Sequence, residues 1–205
     1  MAKKEKSSVS RGIGSVLSWV IPIVVGILVA LLIKQFIVTP ARVDGPSMEP
    51  NLVNNERMLV WRNAKIKHLS VIVFDAYGED PEASKPNTDY VKRVIGLPGD
   101  TVSSQDGNIY VNGKKIDQNF ISNYQRTVGT GNWNLKSLSK SWNEDNGATK
   151  VPKGQYFVLG DHRSVSNDGR YWGFVPKKKI LGVANTFFWS TDKTKRHNVN
   201  SLGFE

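Results

Sequence analysis

The sequence contains no cysteine. That absence excludes disulfides, thiolate metal sites and cysteine nucleophiles together. Histidine is scarce, with three residues, His68, His162 and His197. No two of them have the short spacing of paired metal ligands, so no metal site is expected. His68 and His197 have surface-like neighbours and are expected in solvent. Negative charge is also short, 18 Asp and Glu against 28 Lys and Arg, for a net charge of +10. An excess of that size implies an anionic neighbour, with membrane lipid, cell-wall polymer and nucleic acid as the candidates. The mean hydropathy of −0.35 excludes a chain with many membrane spans but leaves room for one. A chain of 205 residues can hold one domain or two small ones and bury a real core.

The single long apolar run is Ile13 to Ile33, 21 residues without a charge, of which 16 are apolar. At about 1.5 Å per residue a helix of that length crosses a hydrocarbon core of about 30 Å. Pro22 is compatible, since membrane helices tolerate proline. A cleaved secretory signal would have a shorter apolar region followed by small residues. Here Lys34, Gln35 and Phe36 follow. The expectation is an uncleaved transmembrane anchor over 13–36 preceded by a basic tail over 1–12. Lys3, Lys4, Lys6 and Arg11 precede the run and only Lys34 and Arg42 follow closely, which predicts a cytoplasmic N-terminus and an extracytoplasmic remainder. Nucleic acid then drops out as a partner, and anionic headgroups remain.

The remainder reads as mainly β. Met58–Trp61, Val71–Phe74, Tyr90–Ile95, Tyr156–Leu159 and Gly182–Trp189 are strand candidates. Asp106-Gly107 and Asn112-Gly113 predict tight hairpins joining Thr101-Val102, Ile109–Val111 and Lys114–Ile116. No long window shows a 3.6-residue period. The segment 119–150, rich in Asn, Ser, Gly and Lys, reads as a peripheral inserted subdomain between the two parts, 37–118 and 151–205, of a β-rich domain. Glu79–Asn87 reads as a surface loop.

Three segments carry candidate chemistry. In Asp44–Pro50 a serine, Ser47, sits between Pro46 and Pro50 with Gly45 before it, a turn able to aim a hydroxyl. In Tyr90–Ile95 side chains alternate, so one of the adjacent cations Lys92 and Arg93 must point to whichever face is covered. A lysine there is either an edge-strand charge or a desolvated amine with a lowered pKa, able to act as a general base. Such an amine could activate a serine without any histidine. In Gly160–Arg170, two Asp and two Arg suggest an ion-pair framework, with Ser164 and Ser166 as hydroxyls beside it.

Taken in order, these segments resemble the type I signal peptidases (bacterial leader peptidases), membrane-anchored serine endopeptidases with a Ser-Lys dyad. Ser47-Met48-Glu49-Pro50 is similar to the nucleophile motif. Tyr90 to Asp100 is similar to the lysine motif, and Gly160 to Arg170 to the late acidic-basic motif. The short single anchor and compact insertion resemble the Gram-positive form. The resemblance implies Ser47 as nucleophile, Lys92 as general base and Ser166 as the hydroxyl orienting the amine. It implies Asp161, Arg163, Asp168 and Arg170 as charged support, and Val43, Met48, Leu52 and Val91 as lining of shallow apolar pockets for small residues. It implies preprotein signal peptides as substrate and no cofactor. Three departures stand out. Gly45 replaces a serine whose hydroxyl helps bind the oxyanion in some members. Asn51 replaces the usual threonine, which predicts a packing change. His162 and Gly169 replace asparagine and serine. A membrane-tethered β module without catalysis, and a self-cleaving Ser-Lys regulator related to the SOS repressors, are the competing readings.

Overall fold

The computed structural model describes residues 8–203 other than residue 188. The chain divides into two compact units, one ending at Val38 and one beginning at Thr39. In the first, the apolar run forms a helix, α1 (Ser8–Phe36), with Pro22 inside it. From Trp19 to Phe36 its large apolar side chains are exposed, and residues 18–36 are long and apolar enough to cross a membrane. The tail expected over 1–12 lies outside the described residues up to position 7.

The second unit is mainly β. Its strands are β1 (Val38–Arg42), β2 (Arg57–Trp61), β3 (Val71–Asp75), β4 (Asp89–Gly96), β5 (Val102–Gln105), β6 (Asn108–Val111), β7 (Lys114–Lys115), β8 (Trp133–Asn134), β9 (Gln155–Leu159), β10 (Val175–Pro176) and β11 (Ile180–Thr186). A seven-stranded sheet has the order β1-β2-β11-β3-β4-β9-β10, and a four-stranded sheet the order β7-β6-β5-β8. The sequence pattern explains the positions. In β2, Met58 and Val60 are buried while Arg57 and Trp61 are exposed, the alternation of a half-covered strand. In β3, Val71 to Phe74 are all buried, because the strand is interior to the sheet and both faces are packed. The Asp106-Gly107 and Asn112-Gly113 turns have positive φ at both residues, which joins β5, β6 and β7 into successive hairpins. The strand expected over Gly182–Trp189 ends at Thr186, and residue 188 lies outside the described residues.

Two expectations are corrected here. The segment 119–150 is not peripheral. It supplies β8 to the small sheet, and Phe120, Ile121, Leu135 and Trp142 are buried in one cluster with Ile95, Phe157 and Leu159. Burying each such side chain contributes about 1.5–3 kcal/mol, enough to outweigh a polar composition. It also carries the short helices α2 (Asn123–Thr127) and α3 (Leu135–Leu138). His68 is buried rather than solvated, with its ring 2.7 Å from the Asp100 carboxylate. The last helices are α4 (Gly169–Trp172) and α5 (Lys193–Asn200).

Candidate active site

Ser47 sits half-buried on a turn between β1 and β2. Gly45, at φ 82°, makes the bend that a side chain would strain, and its N–H donates to Asn54 Oδ1 at 3.0 Å. After the serine, the N–H groups of Asn51 and Leu52 both donate to the Met48 carbonyl, at 3.1 and 3.0 Å. Met48 and Leu52 are fully buried and anchor the turn from below. The turn is also pinned from the late motif, where the His162 N–H donates to the Ser47 carbonyl at 3.0 Å. Gly160 lies so close that a Cβ there would collide with the Ser166 hydroxyl and the Ser47 carbonyl.

Lys92, on β4, donates from Nζ to Ser47 Oγ at 2.9 Å. The lysine is 4% exposed. Desolvation lowers its pKa to about 8, aided by Arg170 and opposed by the carboxylates of Asp168, Asp80 and Asp161. The amine also lies 5.2 Å from the centre of the Tyr90 ring. Arg93, the next residue, is buried on the other side of the strand, with its guanidinium 4.2 Å from the Phe120 ring. Strand alternation predicts one covered cation; both are covered, Lys92 by the Ser47 turn and Arg93 by Phe120 and Asp161.

The charged residues pair differently from a self-contained late motif. Asp161 accepts two bonds from Arg93, at 2.8 and 2.7 Å, with both side chains fully buried. Asp168 accepts from Arg170 Nε at 2.8 Å and Nη2 at 2.9 Å, and its second oxygen accepts the Gly160 N–H at 2.9 Å. Arg170 also donates to the Gly129 carbonyl. Arg163 has no carboxylate partner among the described residues. It donates to the Gly160 carbonyl and to Gln118, and burial lowers its pKa to about 10. The Ser166 hydroxyl is buried and makes no hydrogen bond among the described residues.

Beside the dyad runs a groove of about 500 Å³ whose apolar lining includes Ala41, Met58, Val60, Val73, Val91 and Leu181. Of the four residues expected to line pockets, Val91 does so. Val43, Met48 and Leu52 do not line it; they pack in the core cluster beneath, which Met58 and Val60 share with the groove wall.

The signal peptidase family described as peptidase S26 matches residues 16–189. The chain belongs to that family. It is 37% identical over 193 residues to signal peptidase IB of Staphylococcus aureus strain COL, covering 90% of this chain and 95% of that one. It is 32% identical over 198 residues to signal peptidase I of Bacillus licheniformis, covering 94% and 98%. A crystal structure of a signal peptidase I from Enterococcus faecalis V583 is 34% identical, with a TM-score of 0.48 over 58% of this chain and 97% of that one.

In this member of the serine endopeptidase family, the structure adds site residues that sequence reasoning missed. Asp80, from the expected surface loop, is buried and accepts from Tyr90 Oη at 2.8 Å and Asn167 Nδ2 at 2.9 Å. Burial and that contact push the Tyr90 pKa up to about 12. The 119–150 segment supports the site directly, since Gln125 Nε2 donates to the Glu49 carbonyl at 3.1 Å. Asn51 does more than pack, as it donates to Asp161 Oδ2 at 2.8 Å.

Proposed function

We propose that this chain is a membrane-anchored serine endopeptidase that removes N-terminal signal peptides from exported preproteins by a Ser-Lys dyad. The observation that carries it is the Lys92 amine, buried, with its pKa lowered to about 8, at 2.9 Å from Ser47 Oγ. In its neutral form the amine accepts the Ser47 proton as Oγ attacks the scissile carbonyl. The resulting ammonium returns that proton to the leaving amine, and Lys92 then activates the water that releases the acyl-enzyme. The Ser47 N–H and a second donor or water hold the oxyanion, since Gly45 has no side-chain donor. Ser166 is assigned the role of steadying the amine, its buried hydroxyl having no hydrogen bond among the described residues. The apolar groove supports cleavage after small residues of the Ala-x-Ala type, each short enough for a shallow lining.

The α1 helix anchors the enzyme once, with the basic tail in the cytoplasm and the catalytic unit outside, as the flanking charge directs. Anchoring restricts the search to the surface where the substrates emerge. The full chain in detergent is expected to cut a preprotein once, and Ser47→Ala and Lys92→Ala are each expected to abolish cutting with the fold intact. Near-normal turnover by Lys92→Ala would refute the dyad. A full chain that binds preprotein and never cuts it would favour the tethered, non-catalytic β module.

A further inference from the structure

The structure gives Asn51 a task that a threonine could not perform. Asn51 is four residues after the nucleophile, on the same turn. Its two Nδ2 protons go to the Phe120 carbonyl and to Asp161 Oδ2, each at 2.8 Å. Its Oδ1 accepts from Asn198 Nδ2, also at 2.8 Å. A side-chain amide has two donors and one acceptor oxygen, so every proton is used. The opposite amide orientation would set Oδ1 against a carbonyl and a carboxylate, so the contacts define the orientation uniquely. A threonine hydroxyl has one proton and could not serve both acceptors.

Asn198 lies in the last turn of α5 and makes a second contact to the same framework. Its backbone carbonyl accepts from Arg93 Nη1 at 2.9 Å. A carbonyl at a helix C-terminus carries partial negative charge and suits a guanidinium. The C-terminal helix therefore holds both ends of one chain of bonds. One end is Arg93, next in sequence to Lys92. The other is Asn51, on the turn that bears Ser47. The Asp161 carboxylate lies between them.

We propose that Asn51 and Asn198 are a pair of positioning residues that fix the nucleophile turn against the Arg93–Asp161 pair, making α5 part of the catalytic framework. The role rests on the Ser-Lys peptidase reading. Neither residue touches the reacting atoms or the groove. Their loss shifts Ser47 relative to Lys92 and leaves the substrate lining in place, and a displacement of about 1 Å can lower a rate by about a hundredfold.

The test uses the full chain in detergent and a preprotein substrate. Asn198→Ala, Asn51→Thr and the double variant are compared with Asn200→Ala. Asn200 is the control because it staples the same helix to β11, its Oδ1 accepting from the Thr186 N–H at 2.8 Å, without touching the framework. Each single variant of the pair is expected to lose at least tenfold in kcat with KM within about twofold, beyond any loss in Asn200→Ala at equal thermal midpoint. The double variant is expected to match the worse single one, as coupled partners do. Losses in kcat that merely track the fall in thermal midpoint, as in Asn200→Ala, would overturn the proposal. So would losses that multiply in the double variant. An unaltered chain that cuts no preprotein overturns the peptidase reading itself and is distinguished by that wild-type control.

Discussion

Lys92→Met should destroy cleavage and yet stabilise the fold, by an amount that depends on pH. The folded-state pKa of Lys92 is about 8. An unfolded lysine titrates near 10.4 (about), and each unit of difference corresponds to about 1.4 kcal/mol. Holding the amine in the folded protein therefore costs about 3 kcal/mol at pH 7. Because the folded pKa is the lower one, the unfolded chain binds more protons between pH about 8 and about 10.4, and stability rises with pH across that window. The penalty is complete below about pH 8 and gone above about 10.4. Methionine has similar length and no ammonium. It forfeits the bond to Ser47 Oγ, about 1 kcal/mol. The net gain at pH 7 is about 2 kcal/mol, or about 4–8 °C in thermal midpoint for a chain of this size. The assay is thermal unfolding of the full chain in detergent, followed by tryptophan fluorescence at pH 7 and at pH 10. A variant less stable than wild type at pH 7, or a gain equal at both pH values, would show that the amine is not desolvated as described.

Three further outcomes follow from the same geometry. Asp80→Asn removes a carboxylate that raises the Lys92 pKa; the acid limb of the kcat/KM profile, which rises through pH about 8 as the amine becomes neutral, should move to lower pH, and a shift upward would contradict the assignment. Gly160→Ala drives a methyl group into the Ser166 hydroxyl and the Ser47 carbonyl; cleavage should fall at least tenfold, with near-wild-type turnover as the refuting result. The net charge of +6 on residues 39–205 should hold the catalytic unit to anionic vesicles; cosedimentation insensitive to both salt and lipid charge would remove that role.

Much of this arrangement was legible in the sequence, for identifiable reasons. The apolar run and the Asp-Gly and Asn-Gly turns are local signals, and they appear as α1 and as the hairpins of the small sheet. Ser47 and Lys92 are marked by motifs, because a separation of 45 positions leaves no periodic trace of their contact. Strand alternation could not show that both faces of β4 are covered, since that depends on the Ser47 turn on one face and the Phe120 segment on the other. The 119–150 stretch hid its role behind its composition. Its contribution comes from four buried apolar side chains, from the Gln125 amide and from backbone carbonyls that any residue could supply. α5 escaped because an eight-residue helix with Val199 as its buried residue has too short an apolar stripe to read.

The framework also explains how buried carboxylates can surround an amine whose pKa stays below the ordinary lysine range. An unpaired buried anion beside Lys92 would raise its pKa back toward the ordinary lysine range and shrink the neutral fraction further. Asp161 and Asp168 still raise the Lys92 pKa, but each carries an arginine in two parallel bonds that offsets part of its charge. Arg170 goes further, since its charge pushes the Lys92 pKa down. Two arginines buried for structure alone would be hard to justify, because apolar residues of similar volume often serve a core as well or better. Their value here is that they let two carboxylates bind the Asn51 amide and the Gly160 N–H, fixing the turn and the late motif, without protonating the base those segments surround.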